Sequence, residues 1–442
     1  MQLARQSTGG GRFRISDPQR IGRQSISRAS ADPNLVLDLQ FQRDAAFTAR
    51  RGPLPTFTRA SQAWRINSSG IIVPAAINEA RIDYDPTTLA CRGLLVEEQR
   101  TNLCLWSEDF SQASWSKFQG TVVADQGVAP DGNTTADLFY ATSTGSITGQ
   151  LFRTVAGLSV GNVVTVSFFV KNAGKNIAYL AKITSGSAPD AYYNLTTGVI
   201  SNVTAGLTAT MQQYSNGWWR ISLTSTVAAG TNYAWVGAVD SAGSTTNTAS
   251  GTDGLLVWGA DVEVGSFATS PIPTTSAAVV RSADVCSITG SAFSGFWNAS
   301  EGTLVVKAAR LTGVNSAGVS GFPRYLCADD GTTSNRIQAW WFGGPNQFAA
   351  TVGGVDSAAL ALATVTGGTS FGVAARYKAN DFAASQNGGA VGTDISGSLP
   401  TVTALGIGQA SSGVGVINGH IRAIQYYNRI KTNAQLQTLS TP

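Results

Sequence analysis

Histidine occurs once in this 442-residue chain, at His420, and methionine twice. Charged residues make up 13% of the chain, against about 25% in an average domain. No apolar run reaches the eighteen residues a membrane-spanning helix needs, and Met1 is followed by polar, Arg-rich sequence rather than a signal peptide. A soluble protein without membrane insertion is expected. The four cysteines, Cys91, Cys104, Cys286 and Cys327, lie far apart and form no CxxC or Cys/His pattern. They read as small buried hydrophobes rather than a zinc site or a disulfide framework. No P-loop or dinucleotide fingerprint occurs, so neither cofactor nor metal is expected.

What the chain does have is 49 Gly, 14 Pro and abundant Ser, Thr, Ala and Val, a composition that favours strands and turns. Its length implies two to four domains. The expected class is all-β: an N-terminal arm and β connector followed by two β-sandwich, jelly-roll-like domains. Period-two alternation begins at Leu35 in LVLDLQF, and turn signals follow at Asn67-Ser-Ser-Gly70 and Asp83-Tyr-Asp-Pro86. Strand patterns recur in VVTVSFFVKN (163–172), NYAWVGAV (232–239) and GLLVWGADVEV (254–264). They continue in GTLVVKAARL (302–311), RIQAWWFGG (336–344) and GHIRAIQYYNRI (419–430), and KTNAQLQTLST adds a short helix. The boundaries expected are an arm with its first strand at 1–55, a connector at 56–118, and sandwiches at 119–282 and 283–442.

Charge is uneven. Residues 1–65 hold eleven Arg against four acids, +7, and the remainder nineteen bases against twenty-two acids, −3. Residues 1–33 show no hydrophobic period, so alone they cannot offset ordering entropy by burial. Arg5, Arg12, Arg14, Arg20 and Arg23 are expected to anchor this arm to a protein partner. No aromatics alternate with them as a nucleic-acid binder would have it.

Aromatic pairs are the candidate ligand contacts. Sugars lay a C–H-rich face on an exposed ring while amides and carboxylates orient the hydroxyls. Trp218 and Trp219 are adjacent, as are Tyr192 with Tyr193 and Trp340 with Trp341, so in a strand one of each pair points away from a single core. Trp218, Trp219, Tyr192, Trp340 and Trp341 are the carbohydrate-binding candidates. Enzyme readings fare worse. The GxSxG string at Gly157-Leu-Ser159-Val-Gly161 leads into a strand, not the helix a nucleophile elbow requires. His420 reads as structural or surface-exposed. Glu97, Glu98, Asp83 and Asp85 supply carboxylates for glycan hydrolysis, but sequence does not place a pair at the needed separation. Asp329-Asp330-Gly331 reads as a hairpin turn.

Three blocks carry a family resemblance: TFTRASQAWRINSSGIIVPAAINEARIDYDPTT (56–88), RGLLVEEQRTNLCLWSEDFSQASWSK (92–117) and GLLVWGADVEVGSFATSPIPTTSAAVVRSADVCSI (254–288). Together they resemble recurrent segments of tailed-phage and gene-transfer-agent head-spike fibre or tail-fibre proteins. They depart at Pro271, where an aromatic is frequent, and at Asp261, where Gln is common. The last unit is similar to concanavalin A-like, laminin-G-like sandwiches. The resemblance implies a carbohydrate-binding-module-like middle sandwich. It further implies a virion-surface appendage, assembled in the bacterial cytoplasm, that binds host polysaccharide and is held by capsid or tail proteins. A homo-oligomer, trimer or pentamer, is expected. The alternatives are a tail-fibre receptor-binding protein, a glycan depolymerase and a ligand-free decoration protein.

Within the second block, five of thirteen residues from Glu97 to Asp109 are charged. Glu97, Glu98, Arg100 and Asn102 supply the carboxylates, guanidinium and amide that form mutually satisfied hydrogen bonds. They are expected to form a structural junction, with Arg100 paired to Glu97 or Glu98 and the connector held against the first sandwich.

Overall fold

The computed structural model describes residues 32–184, 188–314 and 322–442. The expected anchoring residues Arg5, Arg12, Arg14, Arg20 and Arg23 lie outside them. The described residues are dominated by antiparallel strands arranged as two sandwiches, so the all-β expectation holds.

The order of the chain is not the order of the sandwiches. Gly419–Tyr427 pairs on one side with Glu301–Arg310 and on the other with Leu35–Leu39 and Cys91–Val96, which in turn pairs with Arg81–Tyr84. These strands, with Ser370–Lys378, Phe382–Gln386 and Gly392–Asp394, form an eight-stranded sheet. Thr56–Thr58 joins the facing seven-stranded sheet through Val285–Thr289. The segments expected to form a separate connector at 56–118 therefore largely complete the C-terminal sandwich. One core binds both halves: Leu37, Leu39, Phe57 and Leu94 pack with Ile288, Leu304, Leu405 and Tyr426. The helix Asn433–Leu439, opened by a capping box between Thr432 and Gln435, lays Leu436 against Val305, Ala374 and Tyr427.

The middle sandwich is an insertion in this framework. The chain leaves along Arg100–Asn102 and returns along Val279–Arg281, and these two strands pair antiparallel, Asn102 opposite Val279 and Arg100 opposite Arg281. Between them lie two six-stranded sheets. The first runs Thr208–Gln213, Trp219–Thr226, Val163–Ala173, Gly254–Val264, Thr134–Ala141, Gly120–Val128. The second runs Val199–Ser201, Ala191–Asn194, Ile177–Leu180, Tyr233–Val239, Gln150–Thr154, Ser116–Phe118. Alternation fills the core between them, with Val164, Val166, Phe168 and Val170 from one strand meeting Leu180, Tyr193 and Val236 from the other sheet. Phe110 and Trp115, just past the charged block, are buried in that core.

The outer face of the first inserted sheet is also covered. The hairpin Ala63–Ile66 with Ile72–Ala75, whose turn is built by Asn67 Oδ1 accepting from the Ser69 and Ile71 N–H groups, reaches across from the framework. Its Ile66 and Ile72, with partly buried Trp64, pack on Phe169, Tyr214, Trp218 and Trp258. A strand buried on both faces reads as near-continuous apolar sequence, and VVTVSFFV does.

A fragment starting at residue 119 lacks four framework strands. Residues 119–442 should give no cooperative thermal transition for the framework, whereas 34–442 should unfold as the full chain does. Equal melting of the two fragments would contradict the discontinuous framework.

Candidate functional site

The charged block lies where the two sandwiches meet. Glu97, at the end of a framework strand, is fully buried between two guanidinium groups: Arg81 Nη1 donates to its Oε2 at 2.7 Å and Arg281 Nη1 approaches at 3.4 Å. The same carboxylate accepts from the Ser270 N–H at 2.7 Å and its hydroxyl at 2.6 Å. Arg81 also donates to Asp284, which pairs with Arg59 at 3.1 Å and accepts from the Glu97 N–H at 2.8 Å. Burial by itself would raise the Glu97 pKa, but Arg281, Arg81 and Ser270 outweigh it and hold the carboxyl well below the usual range. Segments from Arg59 to Glu97, before the insertion, and from Ser270 to Asp284, at its exit and beyond, thus share one set of charges.

The stem carries the rest of the junction. Arg100 pairs with Glu98 at 2.6 Å, donates to the Val264 carbonyl and lies 4.8 Å from the Phe267 ring. Gly265 makes room for it: a Cβ there would collide with the Arg100 guanidinium. Asn102 donates to the Ala260 and Ile272 carbonyls at 3.0 and 2.8 Å and accepts from the Cys104 and Val262 N–H groups. Four hydrogen bonds from one amide fasten the stem to the inserted sandwich.

Asp261 is the exception. It is fully buried, 3.6 Å from Arg220, and its carboxylate oxygens make no hydrogen bond within ordinary limits. Burial, followed by the nearby Glu263 carboxylate, pushes its pKa well above the ordinary value.

The expected sugar-stacking residues are not open platforms. Trp218 is 1% exposed beneath the framework hairpin, with Nε1 donating to the Val128 carbonyl. Trp219, half-buried, leans on the inserted core and donates to the Leu195 carbonyl at 2.9 Å. Both are covered because the sheet has a partner on each side. Trp341 is in the framework core with its indole N–H on the Gly344 carbonyl, and Trp340 is 5% exposed beneath Phe322 and Phe342. Tyr192 does lie on an outer face, that of the second inserted sheet, but is 5% exposed beside Tyr179.

That outer face carries the aromatic surface the sequence reading missed. Phe118, Gln150, Gly237, Tyr179, Tyr192 and Ser201 stand in register across its six strands. Beside this row Phe152 stacks on Trp235 with centroids 3.9 Å apart, and Tyr233 lies 5.3 Å from Trp235. Phe152 and Tyr233 are half-buried and Phe118 is 50% exposed. Tyr179 lies across Gly237, where a Cβ would meet its ring at 2.6 Å. Burial, opposed by the Gln150 side chain, pushes the Tyr179 hydroxyl up to about 12. The signal was present in NYAWVGAV: Tyr233 and Trp235 share a face opposite Ala234, Val236 and Ala238, which are core.

The carboxylates offered for hydrolysis are occupied structurally. Asp83 accepts from the Ile66 N–H at 2.7 Å and meets His420 Nε2 at 2.8 Å. Asp85 caps a turn and pairs with Arg92 at 2.8 Å; although burial opposes it, the Thr88 and Thr87 donors and Arg92 hold its pKa well below the carboxylate range. Ser159 sits in a loop, its N–H on Asn162 Oδ1. Among the described residues no group of three or more His, Cys, Asp and Glu side chains is placed to hold a metal ion.

The sequence matches no protein-family profile and no curated protein. Several solved structures match at low similarity. The carbohydrate-binding module CBM40 of the Ruminococcus gnavus IT-sialidase, bound to α2,6-sialyllactose, is 16% identical over 32% of this chain and 84% of its own, with a TM-score of 0.27. Domains LG4–5 of mouse laminin α1 are 11% identical over 75% of this chain and 96% of theirs, TM-score 0.23. The Trypanosoma rangeli sialidase is 13% identical over 69% of this chain and 58% of its own, TM-score 0.25. Likeness at this level carries no argument about function, which rests on the surfaces described above.

The raised pKa of Asp261 has a definite sign. A carboxyl whose folded pKa lies above its unfolded value contributes stability below the unfolded pKa, about 3.9, and loses it as pH rises through the folded one. Asp261→Asn should therefore melt higher than the wild type at pH 8, with the gain shrinking toward pH 4. A lower melting temperature at pH 8 would contradict the assignment.

Proposed function

We propose that this protein is a non-enzymatic adhesin whose inserted sandwich binds cell-surface polysaccharide. The observation that carries this reading is the outer-face aromatic group, Phe152, Tyr233 and Trp235 beside exposed Phe118. Half-buried Phe152 and Tyr233, backed by Trp235, which is itself 7% exposed, offer apolar stacking, and exposed Ser116 beside them offers a polar contact to hydroxyls. The sialyllactose-binding module among the structural matches is consistent with a sugar ligand. Structural use of the junction carboxylates favours adhesion over hydrolysis.

The resemblance of residues 56–305 to phage-appendage segments supports a more specific proposal: a head-spike or head-fibre subunit on a virion surface, anchored through its basic arm and aiding adsorption to a bacterial host. A tail fibre is the second form of the same proposal. Shallow sites of modest affinity, repeated over the copies on one particle, reach useful avidity.

The test is binding of the full chain to an array of bacterial capsular and lipopolysaccharide glycans, with reducing-end release measured in parallel. Retention on some glycans without release of reducing ends is expected. Phe152→Ser or Trp235→Ala should weaken that retention at least about tenfold while far-ultraviolet circular dichroism stays unchanged. A blank array would favour the ligand-free decoration protein, and release of reducing ends the depolymerase.

A further inference from the structure

A second candidate ligand site lies away from the aromatic face. The outer surface of the eight-stranded framework sheet and the inserted strands Thr208–Gln213 and Trp219–Thr226 enclose a cleft of about 480 Å³, within the range of small-ligand sites, about 300–1,000 Å³. Arg92, Arg310, Arg422 and His420 line it from the framework and Arg220 from the insertion, and Asp85 is the carboxylate among its lining residues.

The balance of partners leaves positive charge. Asp85 is used by Arg92, and His420 meets Asp83. Arg220 donates to Ser167 and to the Thr269 carbonyl and stands 3.6 Å from Asp261. Among the described residues Arg310 and Arg422 form no ion pair. Arg422 donates its Nε to Gln42 at 2.7 Å. Arg310, 3% exposed, turns its guanidinium into the framework core, 4.0 Å over the Trp341 ring and onto the Val365 carbonyl, and so leaves Arg422 as the cation facing the cleft without a carboxylate. Burial lowers the pKa of the Arg422 guanidinium, the desolvation cost of a cation short of acceptors. An anion entering the cleft would relieve that cost.

The other lining groups suit a polyol. Thr210 and Ser222 meet oxygen to oxygen at 2.5 Å on the inserted wall, next to Gln212, and Thr312 and Ser370 face them from the framework side. Such a wall and such a volume exceed what a bare inorganic anion uses. We propose that the inter-sandwich cleft binds a carboxylated saccharide, its acidic group held by Arg422 and its hydroxyls by Thr210, Ser222 and Gln212. The site is independent of the aromatic face and is built jointly by the two sandwiches.

Titration calorimetry of the full chain with trigalacturonate, a hyaluronan tetrasaccharide, neutral trigalactose and inorganic sulfate tests this. At least one acidic oligosaccharide should bind more tightly than trigalactose and sulfate. Arg422→Gln should weaken it at least about tenfold, as expected for a lost charge-assisted hydrogen bond. Thr210→Asp, on the opposite wall, should weaken it too. Trp235→Ala should leave it unchanged, so that failure of the aromatic-face reading and failure of this one are distinguishable. No binding by either acidic probe, sulfate binding as tightly as both, or loss through Trp235→Ala with Arg422→Gln unaffected would each overturn the proposal.

Discussion

The arrangement depends on five charges buried at one joint: Arg59, Arg81 and Arg281 around Glu97 and Asp284. Buried ion pairs contribute less stability than apolar packing of equal volume, yet removing one partner costs about 3–5 kcal/mol because the other charge is stranded. Their effect here is directional. Glu97 is satisfied only if Arg81 from one framework strand, Arg281 from the returning stem and Ser270 from the insertion's exit all converge on it. That convergence fixes how the inserted sandwich sits on the framework. The Ile66–Ile72 hairpin packed on Trp218 and Trp258 follows from the same placement, as does the cleft between Arg422 and Thr210.

Much of this was legible locally. Period-two alternation located strands such as Val163–Ala173 and Gly254–Val264, and the density of opposite charges after Val96 marked a joint. What alternation does not encode is which strand lies next to which. Leu35–Leu39 and Gly419–Tyr427 are partners across nearly the whole sequence, so the early strands looked like a connector of their own. The same gap hid the fate of the tryptophans. That neighbouring side chains point to opposite faces was sound, but it presumed one face in solvent, and the framework hairpin covers the face Trp218 occupies. Tyr233 and Trp235 were legible as a same-face pair opposite small core residues, yet adjacency drew attention to doublets instead.

Residues 56–88, 92–117 and 254–288 converge at the joint. They supply Arg59 and Arg81, then Glu97, Arg100 and Asn102, then Asp261, Ser270, Arg281 and Asp284. Together they hold one sandwich in another, whereas Phe152, Trp235, Arg422 and Thr210 lie outside them. Under the adhesin reading, a fixed joint limits the orientational freedom lost when two sites engage one polymer.

Scanning calorimetry of the full chain tests the coupling between sandwiches most directly. If the buried charges join them into one cooperative unit, the chain shows a single transition whose calorimetric and van't Hoff enthalpies agree, and Glu97→Gln lowers its stability by about 3–5 kcal/mol. Two separated transitions in the wild type, or a Glu97→Gln trace that superimposes on it, would contradict the account.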